Sequence, residues 1–145
     1  DLKTSHVLPA MLRKFHEAKI NNNAPVELWG TGTPMREFLF VDDLAEAVCF
    51  ALEHKLTEHL YNVGSGSDLT IKALAEKIQN VVGHTGSIVW NADMPDGTPR
   101  KLMDVSKLKK EGWQANTNLE EGLQKTYNWF LENKESFKEV KMDED

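Results

Sequence analysis

From Trp29 to Ala45 the chain reads W-G-T-G-T-P-M-R-E-F-L-F-V-D-D-L-A, a glycine turn held between two apolar runs and followed at once by a helix start. Few folds accommodate that order. Glycines two residues apart permit the positive φ and the close backbone approach of a tight turn, so the chain bends there between extended segments. The same stretch carries a flat indole at Trp29 and a guanidinium at Arg36. An arginine offers phosphate a planar, bidentate fork, and a nucleoside diphosphate needs such a fork together with a flat surface. The glycine pair alone is a weak phosphate signal, since a dinucleotide fingerprint requires further glycines between a strand and a helix. A hairpin turn before an ordinary helix is the plainer alternative.

Around this segment, helical and extended patterns alternate. Ser5 is placed to cap a helix with Val7, Leu8, Met11, Leu12 and Phe15 on one side, and Asn21, Asn22 and Asn23 end it. Residues 26–29, 37–41, 60–63 and 88–90 read as strands. Asp42 is expected to cap a helix that turns Leu44, Ala45, Val48, Ala51 and Leu52 inward. Thr70 caps the next, with Ile71, Leu74, Ala75, Ile78 and Val82 facing the core before Gly83 stops it. Ser106 is expected to cap a short helical turn ending at Gly112, and Asn118 with Glu121 forms an approximate capping box for a last helix burying Leu119, Leu123, Tyr127 and Phe130. The expected fold class is α/β, with few short strands and about four longer helices. One domain is predicted over residues 1–137, and residues 138–145 form a charged tail.

Composition narrows the function. A chain of 145 residues with 40% hydrophobic content supports one modest core, and no apolar run approaches the roughly 20 residues that cross a bilayer. The net charge of −6 argues against a nucleic-acid surface, leaving a small molecule as the expected partner. Cys49 is the single cysteine, so an internal disulfide is excluded; its place among Ala45, Val48 and Leu52 predicts a buried structural thiol. His54 and His59 have no third ligand at a spacing that would complete a metal site. A cytoplasmic protein without a membrane partner is expected.

With Ser5-His6-Val7-Leu8-Pro9-Ala10 upstream and Pro95-Asp96-Gly97-Thr98-Pro99-Arg100-Lys101 downstream, the glycine-arginine segment resembles the extended short-chain dehydrogenase/reductase superfamily. Within it, the three motifs in this order resemble the GDP-L-fucose synthase family, from the first residue to about Glu135. The resemblance implies an NADP-dependent epimerase-reductase acting on GDP-4-keto-6-deoxymannose, with the full-length enzyme a homodimer. Such reductases use a G-x-G-x-x-G turn for the cofactor and a Tyr-x-x-x-Lys pair for proton delivery, and neither occurs here. The chain therefore reads as a carboxyl-terminal, substrate-binding piece without its Rossmann half, inactive alone, with NADP held mainly by the amino-terminal half.

The resemblance also assigns roles. His6 is the acid in epimerisation at carbons 3 and 5, opposite a cysteine base from the missing portion, and it also contacts the cofactor. An unperturbed imidazole titrates near pH ~6.5, which suits proton exchange at neutral pH. Val7 and Lys14 lie seven residues apart, so on a helix they project within about 20 degrees of each other and line one wall of the substrate site. Where some relatives carry an arginine for the diphosphate, this chain has Lys14 preceded by Arg13, and a solvated helix face is the alternative for both. Trp29 stacks on guanine and ribose, or is a buried strand aromatic. Arg36 pairs with the diphosphate. Asp96 binds ribose hydroxyls or guanine donors and Lys101 reaches the phosphates, unless Pro95, Gly97 and Pro99 simply stiffen a loop. Two other classes stay open: another NAD(P)-dependent nucleotide-sugar epimerase or dehydratase, and a noncatalytic interaction module.

Overall fold

The computed structural model describes residues 6–133. In chain order these form α1 (Val7–Ile20), β1 (Val26–Trp29), β2 (Met35–Glu37), α2 (Val41–Glu53) and β3 (Asp68–Thr70). They continue with α3 (Ile71–Val82), β4 (Ile88–Asn91), β5 (Arg100–Lys101), α4 (Ser106–Glu111) and α5 (Leu119–Asn133). The mixed α/β class with four longer helices agrees with the sequence reading. Ser5 and the 138–145 tail lie outside the described residues. Among the described residues, no helix is long and apolar enough to cross a membrane.

Local chemistry sets the helix limits. At the end of α1, Asn22 and Asn23 take φ of 51° and 54°, a left-handed conformation that asparagine tolerates better than most residues. Thr70 Oγ1 accepts a hydrogen bond from the Ala73 amide at 3.1 Å and starts α3, and Gly83 ends it at φ 72°. Asn118 Oδ1 accepts from the Glu121 amide at 2.9 Å at the head of α5.

The main core lies where α1, α3 and α5 meet β1. Phe15, Leu74 and Ala75 are completely covered, and all five residues read as inward on α3 are buried. Leu123 and Tyr127 from α5, with Val26 and Leu28 from β1, close it. His16 is buried here too, its Nδ1 3.0 Å from the Tyr127 hydroxyl. Two small sheets flank this core. β1 pairs with β4 in parallel, Trp29 opposite Asn91, while β2 runs antiparallel to β3 and parallel to β5.

Several expectations are corrected. On α2, Leu44, Ala45, Val48, Ala51 and Leu52 face outward, and Asp43 and Ala47 are buried instead. Asp43 explains the turn: its carboxylate accepts from the Thr117 amide at 2.9 Å and the Thr117 hydroxyl at 2.8 Å, drawing that face inward. Small Ala47 then lets the helix close on Leu108 and Trp113. Cys49 is consequently exposed and not a buried thiol. The helix begins at Val41 after Phe40, so Asp42 sits in its first turn and is not its cap, and α4 begins at Ser106 after Val105, so Ser106 is its first residue and not its cap. Among residues 60–63 there is no strand, because Tyr61 accepts from the Glu58 amide and donates to Glu111, and Asn62 donates to the Asp104 carbonyl. The strand expected over 37–41 is shifted to Met35–Glu37, cut short by α2.

Candidate functional site

Parallel pairing of β1 with β4 brings both strands to an end on the same rim, at Trp29 and Asn91. The turn from Gly30 and the loop from Ala92 leave that rim together. Between them and α1 lies a hollow of about 280 Å³, lined by Val7, Met11 and Lys14 from α1, Leu28 and Trp29 from β1, Gly32 and Pro34 from the turn, Arg36 from β2, and Pro95 and Asp96 from the loop. Its lining combines apolar side chains with the cations Lys14 and Arg36 and the carboxylate of Asp96.

Five of the seven residues selected from sequence therefore share one recess: Val7, Lys14, Trp29, Arg36 and Asp96. Trp29 is 52% exposed, which removes the alternative of a buried strand aromatic. Arg36 Nη1 donates to its neighbour's carbonyl, Met35 O, at 2.7 Å, and the remaining guanidinium donors are left over for an anion. Lys14 Nζ donates to Glu27 O at 3.0 Å, which draws the ammonium over the end of β1. Arg13 instead pairs with Glu17 on its own helix at 2.6 Å, so Lys14 is the cation on this wall.

The other two residues stand beside the hollow and do not line it. His6 is exposed immediately before α1, with extended backbone (ψ 154°) and no capping hydrogen bond from its side chain. Its neighbour Val7 is in the lining. Lys101 is exposed on β5 in register with Arg36, one strand away.

Sequence reasoning missed several residues that build the site. Asp96 Oδ1 accepts from the Thr31 amide at 2.7 Å and Oδ2 from the Thr31 hydroxyl at 2.7 Å, and these bonds hold its carboxyl below the usual carboxylate range. The threonines flanking Gly32 were the available signal, since such hydroxyls habitually bond to turn backbone. Glu37 is a second anchor: it accepts from the amides of Gly66 at 2.6 Å and Met103 at 2.9 Å, and from Ser65 Oγ at 3.3 Å. That fixes the strand carrying Arg36. A bidentate pair, Arg100 to Asp68 at 2.6 and 3.1 Å, ties β5 to β3 across the same sheet and holds the Asp68 carboxyl low.

A larger hollow, about 540 Å³, lies over α2 and α4 and is lined by Glu46, Cys49, Glu53 and Trp113 among others. Its two carboxylates stand beside Lys109 and His54, and it gathers none of the seven residues selected from sequence. Among the described residues no group of three or more His, Cys, Asp or Glu side chains is arranged to hold a metal ion.

The sequence model described as the NAD dependent epimerase/dehydratase family matches residues 1–64, which include Val7, Lys14, Trp29 and Arg36. GDP-L-fucose synthase 1 of Arabidopsis thaliana is 53% identical over 132 residues, covering 90% of this chain and 41% of its own length. Over residues 1–64 the chain is similar to the NAD dependent epimerase/dehydratase family. A second relative, GDP-L-fucose synthase of Escherichia coli strain K12, is 49% identical over 144 residues, 92% of this chain and 44% of the relative. Solved structures share the fold. A GDP-mannoheptose C4 reductase from Campylobacter jejuni with NADP bound superimposes at a TM-score of 0.77 with 35% identity, over 90% of this chain and 46% of that one. A GDP-L-fucose synthetase from Naegleria fowleri bound to NADP gives 0.79 with 25% identity, over 94% and 43%. The chain thus spans about 40% of the length of the curated relatives it matches.

Proposed function

We propose that residues 1–137 are the nucleotide-sugar-binding portion of an NADP-dependent GDP-4-keto-6-deoxymannose epimerase-reductase that makes GDP-L-fucose. The observation that carries this reading is the convergence of an exposed indole, a guanidinium and an ammonium on one hollow, at the carboxyl ends of parallel strands where α/β folds place their ligands. At about 280 Å³ the hollow is close to the lower end of the roughly 300–1,000 Å³ typical of ligand sites, a size suited to the nucleotide portion. Trp29 offers its face to guanine, Arg36 its fork to the diphosphate, and Lys14 and Lys101 add positive charge on either side. The ketosugar then extends towards the start of α1.

His6 stands at that end with an exposed imidazole. A carbonyl at carbon 4 acidifies the hydrogens on carbons 3 and 5; a base removes one to give an enolate, and an acid returns a proton to the opposite face. We assign His6 the acid role and the base to a residue of the longer polypeptide. Protonated imidazole gives up one proton to the enolate carbon and is restored from solvent. NADP in its reduced form supplies a hydride to carbon 4 when bound. Among the described residues, the two glycines that suggest a cradle for its phosphates are filled from within. A Cβ at Gly30 would lie 2.2 Å from Asp96 Oδ1, and one at Gly32 would lie 2.7 Å from the Trp90 ring. The cofactor site therefore belongs mainly to the rest of the polypeptide, and His6 is its nearest contact here.

The outward apolar stripe of α2 supports the same reading. Leu44, Val48 and Leu52 expose 45%, 53% and 82% of their surface, a row that a complete enzyme would cover with its other portion. Titration with GDP, UDP and dTDP while following Trp29 fluorescence tests the nucleotide assignment: GDP is expected to bind best, and a preference for UDP or dTDP would point to another nucleotide-sugar enzyme. In the longer polypeptide, His6→Asn should suppress solvent-deuterium incorporation at carbons 3 and 5. Unchanged uptake would remove His6 from the chemistry.

A further inference from the structure

The glycine pair Gly64 and Gly66 repeats the spacing of Gly30 and Gly32, and a carboxylate fills it too. A Cβ at Gly64 would lie 2.5 Å from Glu37 Oε1, although the backbone there is not left-handed, so that carboxylate and not φ requires the glycine. Glu37 Oε1 accepts from the Gly66 amide at 2.6 Å and Oε2 from the Met103 amide at 2.9 Å. One side chain thus ties β2 to two segments outside the strands of its sheet. We propose that Glu37 is a positioning residue for the nucleotide site: by gripping these two amides it locks the register of β2 and keeps Arg36 on the ligand face of the sheet.

The two faces of the sheet show what the lock protects. β2 pairs Met35 with Thr70 and Arg100, Arg36 with Leu69 and Lys101, and Glu37 with Asp68. Side chains in register share a face and alternate along a strand, so Arg36 and Lys101 stand on one face, Glu37 and Asp68 on the other. A slip of one residue would exchange them, bringing Glu37 to the hollow and turning Arg36 away. Three residues, all partly buried, are too few for a hydrophobic pattern to forbid that slip. The bonds at the start of the strand, from the Met35 amide to Pro99 O at 2.8 Å and from the Ile71 amide to Pro34 O at 2.9 Å, join backbone to backbone and are blind to side-chain identity. Phe38 packs on the main core beyond, but apolar contact is non-directional and tolerates a bulge. Two amide bonds to one carboxylate are directional. They also outweigh a cost, because Glu37 and Asp68 lie directly opposite each other, where like charges repel. Arg100 answers Asp68, and the two amides answer Glu37.

The inference rests on the hollow being the nucleotide site, but its first readouts need no nucleotide. Gly66 and Met103 are exposed, so in the 145-residue chain their amides should be protected from hydrogen exchange by Glu37; rapid exchange of both in the wild type overturns the proposal. Glu37→Gln offers one acceptor oxygen in place of two, which leaves either Gly66 or Met103 facing an amide donor, and Gly64→Ala crowds the carboxylate from the other side. In each variant, exchange at one or both amides should accelerate about tenfold or more, and the interstrand Overhauser contacts that pair Arg36 with Leu69 should weaken. With GDP as probe, each should weaken binding by about tenfold, and neither should weaken it further in an Arg36→Ala background. A Glu37 that served stability alone would behave otherwise: the contacts of Arg36 with Leu69 would persist, or the loss of GDP affinity would be the same with and without Arg36. Either result overturns the lock. If the wild-type chain fails to bind GDP, the nucleotide reading falls, and the ligand-free exchange and Overhauser contacts still decide the register lock.

Discussion

Arg36 is the side chain on which binding should depend most. Replacing it with alanine removes a charge-assisted phosphate contact, expected to cost about 1.5 to 3 kcal/mol in GDP affinity by calorimetry. Arg36→Lys retains the charge and loses the fork, so it should recover only part of that. Trp29 and Arg36 were legible in the sequence because their chemistry is rare and their spacing from the glycines is short. Asp96 was legible as important, but its bonds to Thr31 were hidden, since residues 65 positions apart meet only after β1 and β4 pair. His84 illustrates the same limit. Unremarkable in sequence, it is buried with Nε2 2.9 Å from Ala24 O and Nδ1 3.2 Å from Gln79 Nε2. Those partners require a proton on Nε2 and a lone pair on Nδ1, a tautomer that neither leucine nor lysine can imitate.

At the level of elements, capping and turn chemistry give sharper expectations than hydropathy. Thr70→Ala removes the side-chain acceptor at the start of α3 and should cost about 0.5 to 2 kcal/mol in urea unfolding. Two glycine substitutions should separate strain from crowding. Gly112 has φ 108° with nothing within 4 Å of its Cβ position, so Gly112→Ala should cost on the order of 1 to 2 kcal/mol for the left-handed backbone alone. Gly30→Ala adds a collision with Asp96 to the same strain and should cost more, with the Trp29 environment visibly altered. α3 was readable because a cap, a five-residue apolar stripe and a terminal glycine agreed. On α2 the stripe was equally periodic but gave the wrong side, because periodicity identifies a face without saying what covers it. There, one buried carboxylate with two threonine donors outweighed the apolar row. β3 and β5 were unreadable for another reason: three and two residues are too few to show alternation, and their polar ends Asp68 and Arg100 look like loop until they pair across β2.

For the molecule as a whole, acid is the condition to which the fold should be most sensitive. The Arg100 guanidinium holds Asp68 low, the Thr31 amide and hydroxyl hold Asp96 low, and Ser106 does so for Asp104. The Thr57 hydroxyl and then Tyr61 lower Glu111, and Lys77 lowers Glu120. Each folded value lies below its unfolded one, near ~3.9 for aspartate and ~4.3 for glutamate, so below those values the unfolded chain binds more protons than the folded one. The stabilisation is complete above the unfolded values and is lost as pH falls through the folded ones. Melting temperature should be level from neutrality to about pH 5 and should drop below about pH 4. Added salt should shrink the part due to Lys77 and Glu120, while Asp96→Asn should flatten the slope by removing one contributor. The parallel pairing of β1 with β4 has a further consequence. Both segments that border the recess are appended to strand ends, but the turn also accepts the Ile71 and Lys72 amides at the head of α3, so the 92–99 loop is the more separable of the two. Recomposing the 92–99 connection around an unchanged Asp96 and Pro99 should retune which base or sugar is accepted with little change in the unfolding midpoint, giving a natural place to graft new preferences onto an unchanged frame.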